Sequence, residues 1–244
     1  LKTSIIIEAR VNSSRLPGKV LREAVGKPML ELMIERLRRC RLADDIIVAT
    51  TENTSDLEIA DLCERLKVSC FRGSENDVLG RVLGAALANG VNTIVEIPGD
   101  CPLIDPEYVD LCICRYRATG ADYVSSVLSR TFPHGTEAQV FSTSILQDAS
   151  SRTDDPWDRE HVTPYIYGNP DRYLIEAVEA PAEVACPEIH LTLDEIDDYR
   201  LINEIFETLY TDNPNFGLIE ILALLRDRPS LAAMNTNVKR VSGF

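Results

Sequence analysis

The sequence predicts an α/β fold with a largely parallel central sheet and helices on both faces. Two observations carry that expectation. Short apolar runs bounded by charged or turn residues recur at Ile5-Ile6-Ile7 and at residues 44–51, 68–71, 92–97 and 121–127. Between them lie stretches of roughly 10–15 residues with helical apolar spacing, the pattern of successive βαβ units. Right-handed crossovers then bring the strand carboxyl ends, and the loops at 8–19, 72–77 and 98–105, to one edge, where open α/β sheets bind ligands.

Each element has its own reason. Ile5-Ile6-Ile7 reads as a buried strand. Residues 28–40 read as a helix because Leu30, Met33, Ile34 and Leu37 form one apolar stripe, with Gly26 and Pro28 marking its start. D-D-I-I-V-A-T-T is a second strand. Ser55 is the expected N-cap of the next helix, with Glu58 three residues on and a stripe of Ile59, Leu62, Cys63 and Leu66. Residues 68–71 form a third strand, and the loop at 72–81 feeds a helix that buries Leu79, Val82, Leu83 and Ala86. Residues 92–97 form a fourth strand that ends in P-G-D-C-P-L-I-D. A helix over 106–119 and the strand A-D-Y-V-S-S-V follow.

The alternation stops near residue 128. A turn-rich loop and a strand are expected over 129–141, then a short helix within 157–170 stopped by Pro170. Strands are expected at 172–178 and at E-I-H-L-T-L-D, 188–194. Two amphipathic helices close the chain, one carrying Ile202, Ile205, Phe206 and Leu209, the other Leu218, Ile221, Leu222 and Leu225.

Bulk properties narrow the function. The 244 residues suit one domain, and 45% hydrophobic content supplies a core and excludes general disorder. A net charge of −14 argues against nucleic acid as a partner, which needs a basic face. No apolar run approaches a membrane span and the amino terminus lacks a leader pattern, so the expected location is cytoplasmic, without membrane association. Seven cysteines, without paired C-x-x-C spacing, read as reduced and mostly buried thiols.

Against that acidic background the loop after the first strand stands out. Arg10, Arg15 and Lys19 lie within ten residues that contain no carboxylate, separated by Asn12, Ser13, Ser14, Pro17 and Gly18. Neither G-x-G-x-x-G nor G-x-x-x-x-G-K-[ST] is present, so phosphates would be held by side-chain cations and turn amides rather than by a glycine cradle. Asp100 follows a buried strand directly, and Asp194 ends the segment H-L-T-L-D. Two strand-end carboxylates suit Mg²⁺, which bridges carboxylate and substrate phosphate oxygens. His134 and His161 sit in polar segments and suit hydrogen bonding as well as catalysis; His190 alternates with apolar neighbours.

Five motifs, A-R-x-x-S-S-R-L-P-G-K at 9–19, R-G-S-E-x-D-V-L at 72–79, G-D-C-P-L-I-D at 99–105, R-E-H-V-T-P-Y-I at 159–166 and L-T-L-D at 191–194, resemble the acylneuraminate and 3-deoxy-manno-octulosonate cytidylyltransferase family, in its spore-coat polysaccharide biosynthesis branch. The resemblance covers about residues 4–210. It implies a three-layer nucleotidyltransferase-like fold with a mixed sheet, in one domain over 1–244. Residues 1–127 would be the nucleotide-binding half, 128–195 the acceptor and dimer side, and 196–244 the C-terminal helices. It also implies transfer of CMP from CTP to a sugar or sugar acid with release of pyrophosphate, Mg²⁺ as cofactor, and a homodimer.

Carried over by position, Arg10, Lys19 and Asp100 would be catalytic. Ala9, Arg10, Ser14, Arg15, Lys19, Arg72, Ser74 and Asp77 would contact the nucleotide, with Arg81 close by. Asp100 and Asp194 would hold the metal, and His134, Arg159, Glu160 and His161 would meet the acceptor. The chain departs from the branch's usual residues at Glu8, Glu96 and Pro98. Two further readings stay open: a nucleotide-sugar glycosyltransferase, which would need a D-x-D motif better than Asp100 or Asp194 with Asp197-Asp198, and a nucleotide-binding protein without catalysis.

Overall fold

A computed structural model describes residues 1–238. The strands of its main sheet are β1 (Thr3–Glu8), β4 (Asp45–Thr51), β5 (Ser69–Gly73), β6 (Thr93–Pro98), β7 (Tyr123–Ser125), β8 (Gln139–Ser142) and β9 (Ile175–Ala177); β2 (Glu23–Ala24) and β3 (Lys27–Pro28) form a separate short ribbon. The main sheet has the order β5-β4-β1-β6-β8-β7-β9. β5, β4, β1 and β6 run parallel, as the βαβ pattern requires. β8 pairs antiparallel with both β6 and β7, while β7 and β9 are parallel, so the sheet is mixed but mostly parallel.

Helices cover both faces. Ile5 and Ile7 point to a core closed by α1 (Met29–Leu37), α2 (Leu57–Leu66), α4 (Pro106–Thr119), α8 (Ile196–Leu209) and α9 (Leu218–Asp227). Ile6, Ile47 and Ala49 point to a second core with α3 (Val78–Ala88), α5 (Thr143–Ser150) and α7 (Pro164–Tyr167), and α6 (Pro156–His161) packs on α3. Burial on both faces explains why these strands read as continuous apolar runs rather than alternating ones. Arg36 ties α1 to the other helices of the first core. It is buried and donates to the carbonyls of Ile104 (2.8 Å) and Phe216 (3.0 Å). The chain ends, within the described residues, after α10 (Pro229–Ala232). No described helix is long and apolar enough to cross a membrane.

Three expectations need correction, and one helix was not expected. Ser55 does not cap α2: residues Thr54–Asp56 form a 3-10 turn and Asp56 takes the N-cap position. Gly26 does not open α1 either. With Val25 it makes a left-handed turn (φ 49° and 74°) between β2 and β3. α5 has no counterpart in the sequence reading; it buries only Leu146 and Ala149 on its apolar side, too few to announce a helix. Residues 188–194 form no strand in the sheet. Their backbone bonds instead to two loops, Leu191 N to His134 O (2.7 Å) and Leu193 N to Asp100 O (2.8 Å).

Candidate active site

The loop after β1 is shaped by what it buries. Leu16 and Val20 insert into the first core, Gly18 takes φ 70°, and its amide donates to Val11 O at 2.9 Å. Asp56, wholly buried, accepts from the Val11 amide (2.8 Å) and from the Thr51 hydroxyl, and so fastens the loop to the end of β4. Sequence reasoning misses Asp56 because an acidic residue before a helix looks like an ordinary cap. Beside this loop, Gly99 lies so close that an added Cβ would come 2.5 Å from Glu8 O, and the Gly99 amide bonds that oxygen at 2.8 Å. Only glycine lets the carboxyl ends of β1 and β6 meet at this distance.

This approach brings Lys19 and Asp100 together. Lys19 Nζ lies 2.9 Å from Asp100 Oδ2 and 3.1 Å from Asp194 Oδ1, and Arg15 Nη2 is 2.8 Å from the same Asp194 oxygen. Burial pushes the Asp100 pKa up, but the Lys19 charge and hydrogen bond outweigh it and hold the carboxyl below the usual range. Burial likewise pulls the Lys19 pKa down, while Asp100 and Asp194 outweigh it and raise it. Lys19 and Asp100 are therefore both charged at neutral pH. Burial raises the pKa of the neighbouring Cys101 thiol far above normal, so it offers no thiolate nucleophile.

Asp194 arrives through the 188–194 segment. Gly135, at φ 93°, lets the turn before β8 pack against that segment; a Cβ there would meet Thr192 N at 2.6 Å. Glu137 fixes the same turn by accepting from the Gly135 amide (2.6 Å) and pairing with His134 Nδ1 (3.1 Å). Asp198 closes the other end by accepting from the Asp194 and Glu195 amides.

Ala9 is buried, its amide on Ala49 O at 3.2 Å, and Ser14 is exposed on the loop. Arg10 diverges from Arg15 and Lys19 and lies 3.7 Å from Glu160 Oε1. Arg72 is a structural brace, donating to the carbonyls of Thr51 (3.0 Å) and Asn53 (2.9 Å). The Ser74 hydroxyl accepts from the Asp77 amide, and Asp77 caps α3 through the Gly80 amide at 2.8 Å.

Arg159 reaches Asp77 at 3.5 Å but spends its stronger bonds on the carbonyls of Ser150 (2.8 Å) and Thr153 (2.7 Å), anchoring α6 rather than standing free. The His161 ring lies 3.9 Å from the Trp157 ring. Just after it, Val162 (φ 68°, ψ −55°) forms a γ-turn closed by Thr163 N to His161 O, a strained conformation for a β-branched residue.

Asp100 and Asp194 already grip one cation between them, and their oxygens are the donors a hard divalent ion prefers. Among the described residues no cluster of three or more His, Cys, Asp or Glu offers a complete protein cage. Two carboxylates completed by substrate phosphates is the arrangement Mg²⁺ favours, so the residues fit such an ion.

The cytidylyltransferase family model matches residues 4–221. The chain belongs to the cytidylyltransferase family. This nucleotidyltransferase is 32% identical over 233 residues to the spore coat polysaccharide biosynthesis protein SpsF of Bacillus subtilis, covering 93% of this chain and 95% of that one. It superposes on a cytidylyltransferase from Leptospira borgpetersenii with TM-score 0.90 and 30% identity, over 98% and 100% of the two chains. CMP:2-keto-3-deoxy-manno-octonic acid synthetase, in a complex with CTP, shares the fold with TM-score 0.66 at 17% identity, over 85% of this chain and 99% of that one.

Proposed function

We propose that this nucleotidyltransferase transfers CMP from CTP to a sugar or sugar acid, releases pyrophosphate, and supplies an activated sugar for surface polysaccharide. The observation that carries the reading is the bracketing of Lys19 by Asp100 and Asp194, with Arg15 on the same Asp194 oxygen. Two cations and two carboxylates from three distant parts of the chain converge at the carboxyl edge of a largely parallel sheet, where such folds bind nucleotides. SpsF at 32% identity supports the polysaccharide context, and the shared fold of the CTP-bound synthetase is compatible with CTP at this sheet edge.

In the transfer, a sugar hydroxyl oxygen bonds to the α-phosphorus, the bond from that phosphorus to the bridging oxygen of pyrophosphate breaks, and the hydroxyl proton is lost to water. Arg15 and Lys19 hold the β- and γ-phosphates and neutralise the charge that grows on the leaving group. The amides of Ser13 and Ser14, earlier in the same loop, would add donors for the same oxygens. Arg10, turned toward Glu160, lies on the side where the acceptor would enter. Asp100 and Asp194 would hold Mg²⁺, which supplies charge neutralisation at the phosphates when bound. The protein forms no covalent bond, so most of the rate comes from positioning and electrostatics.

Pyrophosphate release from CTP, Mg²⁺ and a panel of sugar acids and neutral sugars tests this reading, alongside CTP binding by calorimetry. Release dependent on both CTP and one acceptor is the expected result. Silence across the panel together with no CTP binding would overturn it. Tight binding of an intact nucleotide-sugar in preference to CTP would point instead to a glycosyltransferase.

A further inference from the structure

Glu96 takes no part in the transfer chemistry above, yet its surroundings single out a second residue, Glu8. Glu96 lies in the middle of β6, 1% exposed. Gln139, opposite it on β8, donates its amide Nε2 to Glu96 Oε2. The carbonyl oxygen of Gln139 accepts from the Tyr123 hydroxyl and from Thr163 Oγ1 (2.7 Å), so the amide cannot flip without losing both. On its other side Glu96 meets Glu8. The register pairs Ile6 with Glu96 and Glu8 with Pro98, which puts the two carboxyl groups on one face of the sheet as diagonal neighbours.

Two carboxyl groups in contact cannot both ionise in a buried setting. Burial, then the contact with Glu8, raises the Glu96 pKa well above the usual range. Glu96, buried against a second carboxyl group, therefore holds its proton and can donate it in a hydrogen bond toward Glu8. Glu8 is half-buried at the ligand-binding end of β1, with the buried Arg81 beside it as a counter-charge. Arg81 in turn donates to Ser74 O (2.5 Å) in the 72–77 loop. A carboxyl group oriented from within the sheet therefore lies against that loop.

We propose that Glu8, oriented by Glu96, selects the nucleotide by accepting a hydrogen bond from the exocyclic amino group of cytosine. The proposal rests on the CTP reading above. Cytosine presents an N–H donor where uracil presents a carbonyl oxygen, so a carboxylate binds the first and repels the second. A charge-assisted bond gained against a repulsion corresponds to a preference of about 10- to 100-fold. Glu96 is a positioning residue here, and it acts only through Glu8.

The test compares kcat/KM for CTP and UTP with one acceptor in the wild type, Glu8→Gln, Glu96→Gln and Glu96→Leu, with circular dichroism to verify folding. The amide introduced by Glu8→Gln can turn to donate to uracil, so this variant is expected to lower the CTP:UTP ratio by at least about 10-fold. Glu96→Gln is expected to keep the ratio, since an amide still donates to Glu8 and accepts from Gln139, whereas Glu96→Leu loses it.

An unchanged ratio in Glu8→Gln with CTP turnover intact would overturn the proposal. So would an effect confined to the KM of the acceptor sugar, or Glu96→Gln behaving as Glu96→Leu does. A wild type that turns over neither nucleotide would overturn the CTP reading, and this proposal with it.

Discussion

Lys19 Nζ and Asp194 Oδ1 lie 3.1 Å apart across 175 residues of chain. Neither residue lies in the main sheet or a long helix: Lys19 opens a 3-10 turn after Gly18, and Asp194 ends a segment bonded to loop backbone, to Asn235 and to Asp198. Their meeting depends on the sheet edge that gathers both.

Replacing Lys19 with methionine leaves Asp100 without its ammonium and, among the described residues, Asp194 with the Arg15 ion pair. Pyrophosphate release is expected to fall by about 10²–10³-fold, as when a preorganised charge is lost from a transition state. The melting temperature of the metal-free variant is expected to drop by about 2–4 °C for each kcal/mol lost. Mg²⁺ should restore more of that stability in the variant than it adds to the wild type, because the ion takes the vacated place between the carboxylates. Scanning calorimetry with and without Mg²⁺ checks both statements, and equal responses to the ion would sink the metal assignment.

Gly99→Ala separates the two loops without touching a charged group. Its Cβ would stand 2.5 Å from Glu8 O, so one loop must shift. A displacement of order 1 Å at the reacting groups is expected to cost about 10²-fold in kcat. The loss in thermal stability should stay small beside it, and a kcat within twofold of wild type would show that the contact is not needed.

Glu96 gives a pH dependence whose sign can be worked out. Its folded pKa is raised, so between the ordinary glutamate value of about 4.3 and that higher value the folded chain binds more protons than the unfolded one. Its contribution to stability is therefore fully present below the ordinary value and is lost as pH rises through the folded value. Glu96→Gln removes this loss. The variant is expected to gain in melting temperature over wild type at pH 8 and to gain little at pH 4.5. Thermal melts across that range decide it, and a gain independent of pH would refute protonation of Glu96.

Arg36→Met tests the joint between α1, the loop after β6 and the start of α9. Arg36 also stacks its guanidinium 4.5 Å from the Phe216 ring centre. Methionine fills similar volume but leaves the carbonyls of Ile104 and Phe216 without their donor. A loss of about 2–4 kcal/mol in urea denaturation is expected, with the CTP affinity of the folded protein unchanged. A loss below 0.5 kcal/mol would mean that water replaces the guanidinium at ~1 kcal/mol or less per bond.

The parallel half of the sheet was legible because strands buried on both faces are mostly apolar. Residues 45–51 and 93–98 could hardly be anything else. The helix Pro106–Thr119 was legible to its last residue, since Asp105 caps it through the Glu107 amide and Gly120 ends it at φ 68°. Residues 188–194 misled for the opposite reason. Their apolar and β-branched content fits a strand, but a strand also needs a free sheet edge at the right place, and here loop carbonyls supply the partners.

The sequence by itself determined the cationic loop, the two aspartates and the strand end that precedes Asp100, because residue type and local period are local properties. Only the tertiary structure decided that Arg15 and Lys19 share Asp194 while Arg10 turns toward Glu160. It also decided that Arg72 and Arg159 serve as braces and that Glu8 meets Glu96. Those outcomes depend on which backbones can touch, at Gly99 and Gly135 above all, and on which charges are stripped of water together. Neither is a property of any single stretch of chain.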